Sequence, residues 1–363
     1  MRFDPQQPLG EDFQLAVQAS LDRFFDTQHD LLAQTGDRLA LIWDQARHFA
    51  QGGKRLRPAF CYWGYVAAAA PQDPPPQAII DIAASLDLLH LSALVHDDLI
   101  DASDTRRGGP AAHRFFEAYH RSQGWVGDSE RFGQSAAILF GDLLFAWSES
   151  IIDATGVPAD RMKRARPYLD AMRSEVLAGQ CLDLVHQAKP SQRADMLRDA
   201  SLVMEFKTAK YTVSRPVQIG AALGLADENL QQGLGRFGVH VGRAFQMRDD
   251  LLGIFGDPEV TGKPAGDDLR EGKKTALIGY AMAGAAPSEA AALAEMLGDP
   301  ELGQAEIEQA RFILIDSGAV EATEKAIVNE AAAGLQYLNR LDLNPDGAYA
   351  LMALVHACVE RTS

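Results

Sequence analysis

The stretch Ile79-Ile80-Asp81-Ile82-Ala83-Ala84-Ser85-Leu86-Asp87-Leu88-Leu89-His90-Leu91-Ser92-Ala93-Leu94-Val95-His96-Asp97-Asp98-Leu99-Ile100-Asp101 decides how the rest of the chain is read. Its apolar residues Ile79, Ile80, Ile82, Ala83, Leu86, Leu89, Ala93 and Leu94 recur at three- and four-residue steps, and His90 and Asp97 fall on the same rhythm. That rhythm is helical. Similar periods run through 12–51, 135–153, 159–188, 193–212, 228–255 and 304–341, and the Ala-rich stretch 282–296 reads as an exposed helix and its turn. Strand-like alternation between turn residues is scarce. Breaks rich in Pro or Gly, at 71–76, 107–110, 256–258 and 262–266, are short, and none has the composition of an interdomain linker. The expectation is one all-α domain over residues 1–363, a helical bundle around a central cavity.

Composition narrows the function classes. With 47% hydrophobic residues the chain can bury a sizeable core. A net charge of −16 with no offsetting basic stripe excludes nucleic acid as a partner. Against that negative background the basic clusters stand out. Cys61, Cys181 and Cys358 are far apart, make no metal or redox spacing, and read as thiols of a reducing compartment. The first residues carry Asp4, Glu11 and Asp12 and no apolar run of signal-peptide length. The longest nearly uncharged stretch, Phe60 to Pro71, is too short to span a bilayer. A cytoplasmic protein without membrane insertion is expected.

Two acidic clusters carry the chemistry. The first is Asp97-Asp98-Leu99-Ile100-Asp101, followed by Arg106-Arg107; the second is Asp249-Asp250, followed by Lys263, Arg270, Lys273 and Lys274. Asp97 and Asp101 are four apart, so on a helix their carboxylates share one face. Like charges stacked that way destabilise a bare helix, and a hard divalent cation removes the repulsion. Mg²⁺ is held by one or two carboxylates, with substrate phosphates completing its shell. Acids set among Leu94, Val95, Leu99 and Ile100 are costly unless they meet a metal or basic partners. Two such clusters facing one cavity would hold a diphosphate, with Arg and Lys gripping its remaining oxygens. Upstream, Gly52-Gly53-Lys54-Arg55-Leu56-Arg57-Pro58 is a basic turn entering a helix, in which Lys54 and Arg57 are three apart and can clamp a phosphate together. His90 lies two helical turns before Asp97 on the same face. No Ser-His-Asp or Cys-His set is evident.

Taken in order, Gly53-Lys54-x-x-Arg57-Pro58, Leu89-His90-x6-Asp97-Asp98-x-x-Asp101, Arg106-Arg107-Gly108, Phe206-Lys207-Thr208, Phe245-Gln246-x-x-Asp249-Asp250 and Gly262-Lys263-Pro264 resemble the motifs of the trans-isoprenyl diphosphate synthases, or polyprenyl synthetases. The resemblance spans at least residues 50–280. Gly124-Trp125-Val126-Gly127-Asp128 with Arg131-Phe132-Gly133 further resembles the actinobacterial geranylgeranyl diphosphate synthases. It implies an isoprenoid-synthase-type bundle, a homodimer, and Mg²⁺ as cofactor, three ions per active site. It also implies that isopentenyl diphosphate is condensed with dimethylallyl, geranyl or farnesyl diphosphate. The allylic diphosphate ionises, the isopentenyl double bond attacks the carbocation, and a proton is lost to the released pyrophosphate. Carried over by motif, Lys54, Arg57, His90 and Arg107 hold isopentenyl diphosphate. Asp97, Asp101 and Asp249 bind metal, with Asp98, Asp250 and Lys207 also in the catalytic set. Arg106, Lys207, Thr208, Gln246, Lys263 and Lys273 contact the allylic diphosphate.

The chain departs from the family at Gly253, where the second motif often has a third Asp; Asp257, one turn on, is a candidate substitute, and Gly253→Asp is expected to keep or improve activity. A class I terpene cyclase also uses an Asp-rich motif, but needs no isopentenyl site, and Lys54, Arg57 and His90 speak against it. A non-catalytic synthase subunit would lack one Asp motif. Product length is read from the first motif's helix, where one turn rises about 5.4 Å, close to one isoprene unit. Ala93, with Ser92 beside it, then Leu89 and Leu86 form successive floors. Two small residues open the first floor and two leucines narrow the pocket below, which favours the C20 product; C15 and C25 or longer are the alternatives, with a floor near Ile138 and Leu139 if this ruler is misplaced.

Overall fold

The computed structural model describes residues 2–36, 39–69, 76–189, 193, 195–256 and 266–360. Helices make up nearly all of its regular structure, and among the described residues the strands are confined to one two-stranded ribbon, Thr105–Arg106 with Gly109–Pro110. The all-α expectation therefore holds. Lys263, with Gly262 and Pro264 of the same motif, and Asp257 lie outside the described residues. The chain forms two compact units, one of Met1–Ala165, Ile219–Ala226 and Asn344–Leu351, the other of Arg166–Gln218, Asp227–Leu343 and Met352–Ser363.

In the first unit the helix Gln77–Ile100 is apolar on every side. A helix of that kind belongs in a core. Ile79, Ile80, Ile82, Leu86, Leu88, Leu89, Leu91 and Val95 are all buried. It packs on Glu11–Leu32, Leu56–Ala68 and Ser129–Asp153. At the crossing with Ser129–Asp153, a Cβ on Gly141 would lie 2.2 Å from the His96 ring, so only glycine permits that approach. Trp43 and Trp147 stack at 5.4 Å beside Phe24 and Phe25. Asp128, last residue of the Gly-Trp-Val-Gly-Asp motif, caps Ser129–Asp153 by accepting from the amides of Glu130 and Arg131.

Gln77–Ile100 and Ser129–Asp153 are both long and apolar enough to cross a membrane by composition, longer than the stretch singled out from the sequence. Most of the apolar window of Gln77–Ile100 is buried, as a core helix requires, whereas less than half of that of Ser129–Asp153 is.

In the second unit Glu228–Phe255 packs on Ala319–Leu338 and on Met204–Ser214. The last is π-helical, with i→i+5 hydrogen bonding, where the periodicity of 193–212 predicts an ordinary helix. Three glycines let backbones meet around it. Cβ atoms would fall 2.4 Å from the Lys207 amide nitrogen at Gly179, 2.4 Å from Ala209 Cα at Gly242, and 2.3 Å from Ser214 Cα at Gly238.

Candidate active site

The basic turn in the first unit is built around a residue the sequence reading passed over. Gly52 and Gly53 have positive φ, and so does Arg55 at +53°. A non-glycine residue in that region needs compensation. The Arg55 guanidinium is buried and donates to Asp87 Oδ2 at 2.5 Å, to Gln18 Oε1 at 2.6 Å and to the Ala50 carbonyl at 2.6 Å. Asp87, itself buried, is thus the anchor of the turn. The signal was present as a lone acid between Leu86 and Leu88 in a helix buried on all sides. With Arg55 locked inward, Lys54 is exposed and Arg57 half-buried.

Arg107 reaches the same turn. Arg107 and Gly108, both at positive φ, form the two-residue turn of the 105–110 ribbon, as a type I′ hairpin demands. The Arg107 side chain lies 3.0 Å from where a Gly53 Cβ would be, and Nη1 faces the Phe49 and Gln51 carbonyls at 3.5 and 3.4 Å. His90 sits within this group. Burial, and then the positive charges of Arg57, Arg107, Arg106 and Arg55, hold its imidazole well below the ordinary histidine range. It is therefore neutral at physiological pH. Four of the residues chosen from the sequence, Arg57, His90, Arg106 and Arg107, are brought together here with Arg55. Concentrated, partly desolvated positive charge of this kind is stabilised by a polyanion.

The first acidic cluster closes the Gln77–Ile100 helix. Asp101 is the first residue past its end, and the Asp101 amide still donates to the Asp97 carbonyl at 2.8 Å, so the two carboxylates remain one turn apart. Both are half-buried. They lie at a helix C-terminus, where the macrodipole disfavours negative charge and favours a cation. Asp98 is different. It is fully buried and accepts from Arg106 Nε at 2.8 Å and from Arg106 Nη2. Asp98 thus positions Arg106, and the structure separates it from the Asp97–Asp101 pair.

The second cluster belongs to the other unit. Asp249 is half-buried on Glu228–Phe255. Thr208 Oγ1 donates to Gln246 Oε1 at 2.6 Å, and Gln246 Nε2 donates to Asp250 Oδ1 at 2.8 Å, so three residues chosen from the sequence form one relay. Burial, with Asp268 and Asp249 adding like charge against the Gln246 hydrogen bond and Lys273, pushes the Asp250 carboxyl up to about 8. Lys207 Nζ donates to buried Asp183 at 2.7 Å. Asp183 was not singled out, although it continues the buried rhythm of Leu169, Met172 and Val176. Lys273 lies 3.5 Å from Asp268 Oδ1 and also pairs with Glu271.

Two basic residues first counted with this cluster do other work. Lys274 donates to the carbonyls of His186, Gln187 and Lys189 and so closes the helix Ala159–Ala188. Arg270 donates to the Leu302 carbonyl and to Asp267.

Gly253 is not an open vacancy. A Cβ there would lie 2.1 Å from Asp268 Oδ2 and 2.9 Å from its Cγ. An Asp at position 253 would meet the tip of the Asp268 side chain, so Gly253→Asp requires that carboxylate to shift. Of the floor residues, Leu86, Leu89 and Ser92 are buried and Ala93 is half-buried. Ile138 and Leu139 are 47% and 68% exposed.

Among the described residues no three His, Cys, Asp or Glu side chains gather into a group that could hold a metal unaided. The donor set at Asp97 and Asp101 is a pair of hard oxygen ligands at a helix C-terminus, which fits an ion that takes the rest of its shell from phosphate and water. An all-α fold carrying two acidic clusters, one with a multi-arginine anion site beside it and one with lysines, defines an enzyme of diphosphate ester chemistry.

Comparison with known proteins places it further. The polyprenyl synthetase family model matches residues 40–314, and the chain belongs to that family, the trans-prenyltransferases. A geranylgeranyl pyrophosphate synthase from Corynebacterium glutamicum, crystallised with isoprenyl diphosphate and magnesium, superposes with a TM-score of 0.92 at 37% identity, covering 97% of this chain and 99% of that one. A geranylfarnesyl diphosphate synthase from Aeropyrum pernix is 32% identical over 306 residues, 81% of this chain and 85% of its own length. A (2E,6E)-farnesyl diphosphate synthase from Mycobacterium tuberculosis is 31% identical over 316 residues, 85% of this chain and 80% of its own.

Proposed function

We propose that this enzyme condenses isopentenyl diphosphate with an allylic diphosphate to make geranylgeranyl diphosphate, C20. The observation that carries the reading is the gathering of Arg57, His90, Arg106 and Arg107 about the buried Arg55 anchor, close in sequence to the carboxylates of Asp97 and Asp101 one turn apart at a helix end. A cyclase would need no such second anion site. In this reading Lys54, Arg57, His90 and Arg107 hold isopentenyl diphosphate. Arg106, Lys207, Thr208, Gln246, Lys263 and Lys273 grip the allylic diphosphate. Asp97, Asp101 and Asp249 hold Mg²⁺, three ions in all, which when bound neutralise the charge developing on the leaving diphosphate. Neutral His90 donates a hydrogen bond to a phosphate oxygen without adding to the crowded positive charge. The Asp98–Arg106 and Asp183–Lys207 pairs set cations in place before substrate arrives, the arrangement from which electrostatic catalysis gains most. In this reading residues 1–363 work as a single functional domain, and apolar walls keep water from quenching the allylic cation.

The C20 product rests on Ala93 and Ser92 at the first floor with Leu89 and Leu86 beneath. The C. glutamicum geranylgeranyl synthase supports it, while the A. pernix relative favours a C25 product as the second reading. The exposed apolar face of Ser129–Asp153, with Ile138 and Leu139 on it, supports a homodimer formed on that helix in the cytoplasm. Incubation of isopentenyl diphosphate with labelled dimethylallyl, geranyl and farnesyl diphosphates, followed by sizing of the products, tests the proposal. A C20 product is expected. A C15 or C25 product would overturn the length assignment, and no elongation from any primer would overturn the reaction.

A further inference from the structure

We propose that an alternating chain of charges, Arg215–Glu175–Lys210–Glu205–Arg243, holds the segment Met204–Ser214 in its π-helical register and so positions Lys207 and Thr208 at the second cluster; this rests on the reading of those two residues as contacts to the allylic diphosphate. Lys210 Nζ stands 3.4 Å from Glu175 Oε1 and 3.4 Å from Glu205 Oε1. Arg215 grips Glu175 with a fork, Nε to Oε2 and Nη2 to Oε1, both at 2.7 Å. At the other end Arg243 Nη2 donates to Glu205 Oε2 at 2.5 Å, and Nη1 lies 3.7 Å from Glu330 Oε1. All five residues of the chain are half-buried, where salt screens them less than at the surface. Burial raises the Glu175 carboxyl, but Arg215 and Lys210 outweigh it and hold it below its ordinary range.

The pair inside the segment carries the register. Glu205 and Lys210 are five apart. On an α-helix, with 3.6 residues per turn, positions five apart point about 140° away from each other, and the facing pairs are three or four apart. A turn closed by i→i+5 hydrogen bonds brings them together. The Arg215 amide, which donates to the Lys210 carbonyl five residues back, closes the last such turn. Rewinding as an α-helix would part Glu205 from Lys210, and a one-residue slip would swing Lys207 and Thr208 by about 100°. The two neighbouring helices grip the segment alike. Along Ala159–Ala188, Glu175, Gly179 and Asp183 follow at four-residue steps on one face. Glu175 takes Lys210 and Arg215, Gly179 lets the Lys207 backbone approach, and Asp183 takes the Lys207 side chain. Along Glu228–Phe255, Gly242 meets Ala209, Arg243 takes Glu205, and Gln246 accepts from Thr208. Glu205 and Lys210 thus bracket Lys207 and Thr208, and they are tied to the same two helices that hold those side chains.

The test is steady-state kinetics of the full chain with each substrate varied in turn, together with amide hydrogen exchange over Met204–Ser214. Lys207→Ala sets the reference loss for the allylic substrate. Lys210→Met and the isosteric Glu205→Gln are each expected to lower kcat/KM for the allylic substrate by about tenfold to a hundredfold, as misplacement from outside a site does, with the isopentenyl KM kept. Lys210→Arg, which keeps the charge, is expected to stay near wild type. Amides of Met204–Ser214 should exchange faster in the two charge-removing variants, while those of Glu228–Phe255 keep their rates. Allylic kinetics near wild type in both of those variants, while Lys207→Ala loses activity, overturn the role of the charge chain and leave the reading of Lys207 standing. An equal rise in KM for both substrates overturns it too, because the loss would then belong to the fold at large. If Lys207→Ala is also unchanged, Lys207 is no substrate contact and both fall.

Discussion

Asp97 and Asp101 come from the end of one helix, and the arginines that accompany them follow within a few residues on a tight hairpin. The second cluster is assembled from further afield: Asp249 and Asp250 from one helix, Lys207 and Thr208 from a π-helical segment, Asp183 from a third helix, Asp268 and Lys273 from a short helix and the turn after it. The first is written locally and depends on spacing. The second depends on close backbone approach at Gly179 and Gly242, which spacing does not display. Damage to the first should therefore act through single side chains, and damage to the second through packing as well.

The largest effect is expected at the local site. Asp97→Ala or Asp101→Ala should lower turnover by about a thousandfold or more, in line with losing a preorganised charge on a leaving group, with the fold kept. Rates near wild type at saturating Mg²⁺ would remove the first cluster from the mechanism.

The next contrast lies within the second cluster. Lys273→Ala should lower kcat/KM for the allylic substrate by about tenfold to a hundredfold, as loss of a charged hydrogen bond does. Lys274→Ala should leave kinetics alone and cost about 1–3 kcal/mol of stability, because three carbonyls lose their donor. Equal kinetic losses in the two variants would mean that the helix end and the substrate grip are not separate.

Within the basic turn, Arg57→Ala should raise the KM for isopentenyl diphosphate by about tenfold or more, and Lys54→Ala by less, since a half-buried cation is screened less than an exposed one. The allylic KM should move little in both. Steady-state kinetics with each substrate varied in turn decides this. The two residues matter equally only if the exposed one closes onto substrate.

Product length offers a finer test. Ala93→Phe should shift the product from C20 toward C15. Ser92→Phe is expected to cost about 1–3 kcal/mol of stability instead, because Ser92 is buried and a ring overpacks it. Unchanged C20 product from Ala93→Phe would move the floor off this helix.

The smallest effect concerns His90. Its folded-state affinity for protons is depressed, so the unfolded chain binds the proton first as pH falls through about 6.5. Stability should therefore decline below that pH, by at most about 1.4 kcal/mol per pH unit from this group. His90→Gln should flatten the decline between pH 6.5 and 5 in paired thermal melts, and identical slopes would show that burial and the arginine neighbours do not hold His90 neutral.

The primary sequence was enough to establish the helical class, the family, both acidic clusters and the cationic residues that the fold collects about His90, because each is carried by spacing along a helix or by residue type within one short motif. It did not reveal that Arg55 and Asp87 anchor the basic turn, that Asp98 and Asp183 hold arginine and lysine in place, that Lys274 closes a helix rather than gripping substrate, or that Asp268 stands in the space beside Gly253. Each of those is a pairing between side chains distant along a helix or on different elements. An isolated charge in a sequence looks the same whether it faces substrate or a buried partner, and only the packing of the elements decides between them.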